Sequence, residues 1–389
     1  MPNSNPIQYV LAPNYKVKKL GYLQKKMPNA PEIAQLDQKA TFILVKEKKK
    51  DYLINSEIYY FLKFLKRPQT LADLQLAFPA EEKLVAFLQR MLEKGIVIPA
   101  SKLKQLPTKP TKGQRFKIGT YLDKYLITQL LVKKRRVEIY VAKHQKKVII
   151  KALRFPKGIT TAKKDLLQTK FKQEFELMKS LPKHSNLSRL IESNEKEAYA
   201  ILKFVKGKTL LQFSRNTTVT SQTKVHLIQQ IIDTLAFLHR HQVIHGDLHH
   251  KNIMVSKSLK VTIIDFGLAH LQNAVSIDQL RKGGIDVYLP PERINKSSLQ
   301  SLKSPANYTS DIYQLGILMY LIIFDKFPFS GFTWDALYEA IQLGDVDYTL
   351  EDEAFISLLP IVKKCLQKNP LDRYNAATEI GKINTNQQF

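Results

Sequence analysis

The stretch HGDLHHKNIMV, residues 245–255, places Asp247 five positions ahead of Asn252, between apolar flanks. Just downstream, VTIIDFGLA (261–269) puts Asp265 at the end of a β-branched run. Asn252 and Asp265 are hard oxygen donors of the kind that suits Mg²⁺. Asp247 is a carboxylate that could accept a hydrogen bond from a hydroxyl brought beside them. A lone DFG is usually a turn and a lone HGD is usually loop chemistry, so the weight rests on what else the chain supplies.

Upstream, KVIIKALRF (147–155) reads as a strand containing Lys151, and TAKKDLLQTKFKQEFELMKSL (161–181) reads as a helix carrying Glu174. Phosphoryl transfer asks a protein for positioning and charge: an oriented nucleophile, a held triphosphate and placed metal ions. Lys151 can reach α- and β-phosphates if a helix carboxylate steadies it, and Glu174 is placed for that. YLITQLLV (125–132), VEIYVAK (137–143) and AYAILKFV (198–205) are β-rich, whereas the chain after about residue 221 is mostly helical. A β-rich lobe ahead of a helical one is an α+β arrangement with a cleft between.

With VIIK, QEFELMKSLPKHSNLSRL, HGDLHHKN, DFG, YLPPER, SDIYQLGILMYLIIFDKFPF and CLQKNPLDR in this order, residues 121–380 resemble a eukaryotic-like protein kinase catalytic domain. The resemblance implies a bilobal fold, with a small lobe over 119–205 and a large lobe over 206–389, and the use of ATP and Mg²⁺. It makes Lys151 the phosphate-binding lysine, Glu174 its ion-pair partner and Asp247 the catalytic base, with Asn252 and Asp265 as metal ligands. Leu202 falls at the gatekeeper and Lys203, Phe204 and Val205 at the hinge that meets adenine. Leu131, Val132 and Lys134 belong to the segment over the phosphates. Glu292 is expected to pair with Arg373, and Asp311 to anchor the catalytic loop from a central helix.

Three departures from the family pattern bear on function. In LLVKKRRVEIYVAK the family's glycine positions are Val132, Lys134 and Val137. Glycine serves there because it lets backbone amides approach phosphate closely. Here Lys133, Lys134, Arg135 and Arg136 stand instead, either as a cationic clamp or as a solvated hairpin tip. Gly246 replaces the arginine that pairs with a phosphorylated activation loop in many kinases. The loop (268–289) holds only Ser276 as a hydroxyl besides Tyr288, so constitutive activity or control by substrate docking is expected. His249 stands where serine/threonine kinases place a phosphate-contacting lysine, and Lys251 could supply that cation. HGDLH is also similar to small-molecule kinases of the aminoglycoside and choline type, while the block from Tyr288 to Arg373 favours a polypeptide acceptor. Ile285 replaces a typical threonine; serine/threonine stays ahead as acceptor. A pseudokinase scaffold binding an acidic partner and a small-molecule kinase remain the alternatives.

Ahead of this region, the Pro/Lys-rich segment ASKLKQLPTKPTKGQR (100–115) reads as a linker, extended to residue 118, that closes off a first domain over 1–99. TFILV and DYLIN (41–45, 51–55) form a hairpin pattern. SEIYYFLKFLKR (56–67), TLADLQLAF (70–78, capped by Thr70) and AEEKLVAFLQRMLEKG (80–95) read as helices. The last has Leu84, Phe87, Leu88 and Leu92 on one face and Gly95 at its end, and IVIPA closes as a strand. The folded part, about 38–99, is similar to winged-helix modules and to the PqqD-like recognition domains of peptide-modifying enzymes. That likeness implies capture of a leader peptide by strand addition. An accessory module that only packs on the small lobe is the plain alternative. DNA binding ranks lower, because Lys83, Arg90 and Lys94 on the third helix are offset by Glu81, Glu82 and Glu93.

The 389 residues carry a net charge of +27, unevenly spread. Residues 1–115 hold 21 lysines and arginines against 9 aspartates and glutamates; residues 116–205 hold 21 against 8, and residues 206–389 hold 19 against 17. Such a basic first half would attract an acidic peptide, nucleic acid or an anionic membrane, or is simply a lysine-rich solvated surface. A single cysteine, Cys365, excludes an internal disulfide and fits a reducing compartment. MPNSNPIQYVLAPNYK lacks the apolar core of a secretory signal, and LGILMYLIIF (315–324) is too short to span a bilayer. A cytoplasmic protein without a transmembrane segment is the expectation.

Overall fold

The computed structural model describes residues 7–12, 15–19, 42–46, 52–54, 56–66, 69–77, 81–101, 114–134, 136–155, 158–214, 219–274, 285–295, 302–331 and 334–380. The chain divides into two compact units: residues 1–110 with 329–346, and residues 111–328 with 347–389.

The first unit contains strands β1 (Gln8–Leu11), β2 (Tyr15–Lys19), β3 (Phe42–Lys46) and β4 (Tyr52–Ile54), then helix α1 (Ser56–Phe64). Strand β5 (Gln69–Thr70), helices α2 (Leu71–Ala77) and α3 (Glu81–Glu93) and strand β6 (Val97–Pro99) follow. Two small antiparallel sheets result, with orders β5-β1-β6 and β2-β3-β4. Helix α2 starts at a reciprocal cap: Thr70 N–H donates to Asp73 Oδ2 at 2.9 Å, and Asp73 N–H donates to Thr70 Oγ1 at 3.0 Å. Gly95, at φ 63°, ends α3 as expected for a left-handed C-terminal residue. On the predicted apolar face of α3, Leu84 and Leu88 are buried, with Phe87 and Leu92 packed beside them against Leu62, Leu65, Leu74 and Val97.

The fold of this unit starts earlier than the sequence pattern indicates. Strand β1 is the middle strand of its sheet, with Val10 and Leu11 buried, so folded structure begins at Gln8 rather than near residue 38. The six residues between Pro6 and Pro13, four of them in the strand, are too short a run to show a period. The unit also takes in helix α8 (Trp334–Leu343), which follows the large-lobe motifs in the chain. Lys63 Nζ of α1 lies 6.0 Å from the Trp334 ring centroid.

The second unit is mixed α and β. Its six-stranded antiparallel sheet has the order β11 (Leu190–Asn194), β12 (Tyr199–Lys203), β10 (Lys147–Leu153), β9 (Val137–Lys143), β8 (Tyr125–Lys133), β7 (Tyr121–Leu122). Helix α4 (Thr161–Ser180) covers one face, burying Phe171 and Phe175 with Leu153 and Ala200. The other face gathers Tyr125, Ile127, Tyr140, Ile150 and Ile201, and Phe116 packs onto it. Residues 114–116, read as linker, are therefore part of this lobe. Arg115 secures them: its guanidinium donates to Leu153 O at 2.7 Å, to Ala198 O at 3.0 Å and to Glu197 O. Its N–H donates to the fully buried Glu138 carboxylate at 2.7 Å.

Beyond the sheet come short α5 (Leu210–Ser214), then α6 (Ser221–Arg240), α7 (Tyr308–Phe324) and α9 (Leu359–Cys365). Helix α7 contains the apolar run 315–324 and is buried along nearly its whole length from Ser310 to Ile323. An Asn307–Ser310 capping box fixes where it begins. Small antiparallel pairs built from β13 (Lys208–Thr209), β14 (Val243–Ile244), β15 (Ile253–Val255), β16 (Val261–Ile263) and β17 (His270–Leu271) interrupt what the sequence pattern gives as mostly helical. They frame the loops that hold Asp247 and Asp265. Among the described residues no helix is long and apolar enough to cross a membrane.

Candidate active site

Lys151 lies on β10 opposite Ile139 of β9 and Ala200 of β12, so the two neighbouring strands fix its backbone. Its Nζ stands 2.6 Å from Glu174 Oε1 on α4 and 2.7 Å from Asp265 Oδ1 on the loop after β16. Burial opposes the ammonium, but Asp265 and Glu174 together outweigh it and hold Lys151 above the ordinary lysine range. Asp265 is held well below the usual carboxylate range by the Lys151 charge beside it, against the effect of burial. Burial pushes Glu174 up, with Lys151 opposing. Asp265 itself sits at φ 67°, a left-handed conformation that aspartate tolerates through local hydrogen bonding; Gly267 N–H donates to its Oδ1 at 3.2 Å.

The loop of Asp247 is pinned from below by α7. Asp311 accepts from His245 N–H at 2.7 Å and Gly246 N–H at 2.8 Å, and Gln314 Oε1 accepts from Leu248 N–H at 2.8 Å. His239 Nδ1 accepts from Ala377 N–H at 3.0 Å, which assigns the proton to Nε2, 3.2 Å from Asp311 Oδ2. Asn252 Nδ2 donates to Asp247 O at 3.0 Å, which leaves its carboxamide oxygen for another partner. Burial lifts the Asp247 carboxyl to about 7, helped by the Asp265 charge and opposed by Lys134 and Asn252. A carboxyl at that value is poised for general base work near neutrality.

Gly246 has φ 71°, and a Cβ there would meet Leu268 O at 2.9 Å. Backbone geometry thus excludes a side chain where many kinases carry arginine. Tyr288 is buried, and its hydroxyl meets His250 Nδ1 at 2.8 Å. It is a structural hydroxyl; Ser276 falls outside the described residues. His249 Nε2 stands 3.6 Å from Asp247 Oδ1, beyond hydrogen-bond length. Burial takes that imidazole down to about 4, so it is neutral at pH 7 and the contact is not an ion pair. Lys251 is exposed on the same loop.

At the far side of the cleft, Leu202 pairs with Ile149 and packs with the α4 cluster, and Lys203, exposed, donates its N–H to Arg189 O at 2.8 Å. Phe204 and Val205 are half-buried. Leu131 is exposed at the β8 register shift and Val132 pairs with Ile139. Lys134 heads the β8–β9 turn; Arg135 lies outside the described residues. Glu292 and Arg373 form a two-pronged pair at 3.0 and 2.9 Å.

Two features went unread in the sequence. Glu138 looks like any strand glutamate, yet it is fully buried, bonded to Tyr140 OH and the Arg115 amide, with Arg154 Nε 3.1 Å from its other oxygen. Arg293 is buried and, with Asp247, lines a cavity of about 20 Å³, its Nε donating to Ser304 O at 3.2 Å. Burial lowers its guanidinium from the ordinary arginine value, with Asp311, Glu292 and Asp247 opposing. Neither had a signal short of the folded contacts.

The family model for the protein kinase domain matches residues 136–382. The chain belongs to the protein kinase family. This kinase is 29% identical over 278 residues to an Aurora kinase of Debaryomyces hansenii, an overlap of 69% of this chain and 64% of that one. It is 31% identical over 172 residues to the probable serine/threonine-protein kinase PknB of Lactococcus lactis, covering 43% and 26%. Against Aurora kinase C of Mus musculus the figures are 28% over 221 residues, covering 55% and 74%. The kinase thus spans less than two thirds of the first two relatives. The matched region starts at Arg136.

Proposed function

We propose that the protein is an ATP- and Mg²⁺-dependent protein kinase that phosphorylates serine or threonine hydroxyls of a polypeptide. The observation that carries this reading is the assembled Lys151–Glu174–Asp265 contact facing Asp247 and Asn252. The donor set fits Mg²⁺: Asp265 Oδ2, the Asn252 carboxamide oxygen and the nucleotide's own phosphates would supply hard oxygens, with water completing the shell. Bound there, a cation would supply charge that neutralises the phosphates. Lys151 steadies the α- and β-phosphates, Glu174 holds Lys151 in place, and the hinge Lys203–Val205 meets adenine. Asp247 orients the acceptor hydroxyl and receives its proton, while Arg293 and Asn252 keep that carboxylate in register. The intact charges of Lys151, Glu174, Asp247 and Asp265, with Asn252 beside them, favour an enzyme over a pseudokinase scaffold.

A peptide acceptor is favoured over a small molecule by the Glu292–Arg373 pair and the loop up to it, the part of the chain that parallels protein kinases. The first unit would serve as the recruiting module, in the manner of winged-helix or PqqD-like domains. Strand β2 pairs only with β3 among the described residues, and its sequence YKVKK is basic, which suits strand addition by an acidic peptide. With its free, buried Cys365, the kinase would act in a reducing compartment such as the cytoplasm. The test uses γ-labelled ATP with acidic Ser/Thr peptides, Tyr peptides, choline and an aminoglycoside offered in parallel. Label on phosphoserine or phosphothreonine is expected; label confined to a small molecule would overturn the reading.

A further inference from the structure

The His249 ring is fixed by its neighbours yet keeps one polar atom without a protein partner. The residue is 7% exposed. Its ring centroid lies 6.1 Å from that of His250 and 5.9 Å from that of Tyr288, and those two rings are tied together by the Tyr288 hydroxyl at His250 Nδ1, 2.8 Å. The backbone is fixed too, since His249 O accepts from Asn252 N–H at 2.8 Å. His249 Nδ1 accepts from Lys251 N–H at 3.2 Å, so that nitrogen carries no proton. The ring is therefore neutral, and its single N–H is at Nε2.

Among the described residues, Nε2–H finds no acceptor at hydrogen-bond length. It stands 3.6 Å from Asp247 Oδ1, too far for a bond and close enough to act beside it. A buried donor left unmade is costly, which points to a partner arriving with the substrate. The two groups have opposite polarity: Asp247 accepts and His249 donates. Phosphoryl transfer brings two neighbouring oxygens of matching polarity, the acceptor hydroxyl with its proton and a non-bridging phosphoryl oxygen with lone pairs only. The hydroxyl suits the carboxylate, and the phosphoryl oxygen suits the ring N–H. Lys251, the cation expected from the sequence to serve here, is exposed on the loop, whereas His249 is buried beside the base.

We propose that His249 is a catalytic residue, its Nε2–H donating a hydrogen bond to a non-bridging oxygen of the γ-phosphoryl group while Asp247 holds the acceptor hydroxyl alongside. The assignment rests on the kinase reading and deepens it by naming an uncharged donor for the transferred group. In the transfer, the bond from phosphorus to the ADP oxygen breaks and the bond from phosphorus to the acceptor oxygen forms. The hydroxyl proton passes to Asp247. His249 keeps its own proton throughout; it gives a hydrogen bond and aligns the group that moves.

Calorimetric titration of the full chain with Mg²⁺ and either a non-hydrolysable ATP analogue or ADP tests this. His249→Ala is expected to weaken the triphosphate by about tenfold or more, the range of a hydrogen bond to a charged group, and ADP by no more than about twofold. His249→Gln, whose amide N–H can reach the place of Nε2–H, should recover most of the loss; a role in packing alone would not be restored by it. In ¹⁵N spectra of the wild-type chain, the Nε2–H signal of His249 should move with the triphosphate and stay in place with ADP. Equal weakening of both nucleotides, no weakening, or a glutamine variant no better than alanine would overturn the assignment and leave the kinase reading standing. Failure of the wild-type chain to bind either nucleotide would sink both.

Discussion

As the proposed catalytic base, Asp247 would come at a cost to the fold, and Asp247→Asn exposes both sides. In the folded protein its carboxyl is lifted from 3.8 to about 7 by burial and by Asp265. Between those values the folded state holds a proton that the unfolded chain has released. Stability therefore falls as pH rises from about 4 to about 7 and levels off above it. At about 1.4 kcal/mol per pKa unit, three units make the ionised carboxylate destabilising by about 4 kcal/mol at pH 8, and by only about 1–2 kcal/mol at pH 5. The side chain is 18% exposed, so solvent screening removes little of this. Asparagine keeps an oxygen for Asn252 Nδ2, 3.4 Å away, and carries no charge. The variant should melt higher than wild type by roughly 5–15 °C at pH 8 without nucleotide or Mg²⁺, with the gap narrowing at pH 5. Its turnover should fall by on the order of a hundredfold or more, since the base is gone. A variant melting at or below wild type at pH 8, or a gap constant with pH, would refute this account of the Asp247 environment.

Other outcomes follow from neighbouring contacts. For wild type, kcat/KM should rise with pH to a plateau above about 7 as Asp247 deprotonates; a profile flat from pH 5.5 to 8 would remove Asp247 as the base. Gly246→Ala forces a Cβ to within 2.9 Å of Leu268 O at a left-handed φ, and should cost about 1–3 kcal/mol in urea unfolding; a neutral effect would mean the loop is not held as described. Arg115→Ala removes the guanidinium donors to Leu153 O and Ala198 O at 2.7 and 3.0 Å while keeping the backbone N–H on Glu138, so the amides of β9 and β10 should exchange at least about tenfold faster. Unchanged exchange would show that residues 114–116 do not brace the lobe.

Much of the kinase unit was legible because its signals are local. The β9 and β10 runs, the α4 helix and the HGDLHHKN and DFG segments each occupy a few consecutive residues, and the folded distances set Lys151, Glu174 and Asp265 within one contact. What escaped depends on distant partners. Glu138 is buried only because Arg115, 23 residues earlier, and Arg154 reach it. Strand β1 is too short for a period and becomes central only through β5 and β6, about sixty and ninety residues on. The Trp334–Leu343 helix shows an apolar face without saying what covers it, and chain order points to the lobe rather than to the first unit.

The most direct measurement is transfer of the γ-phosphoryl group from labelled ATP to a serine-containing acidic peptide, with wild type, Asp247→Asn and Lys151→Ala compared in Mg²⁺ and in chelator. Label should appear on the peptide only with wild type and only with Mg²⁺. Equal labelling by Asp247→Asn, or transfer that persists in chelator, would contradict the roles assigned to this cleft.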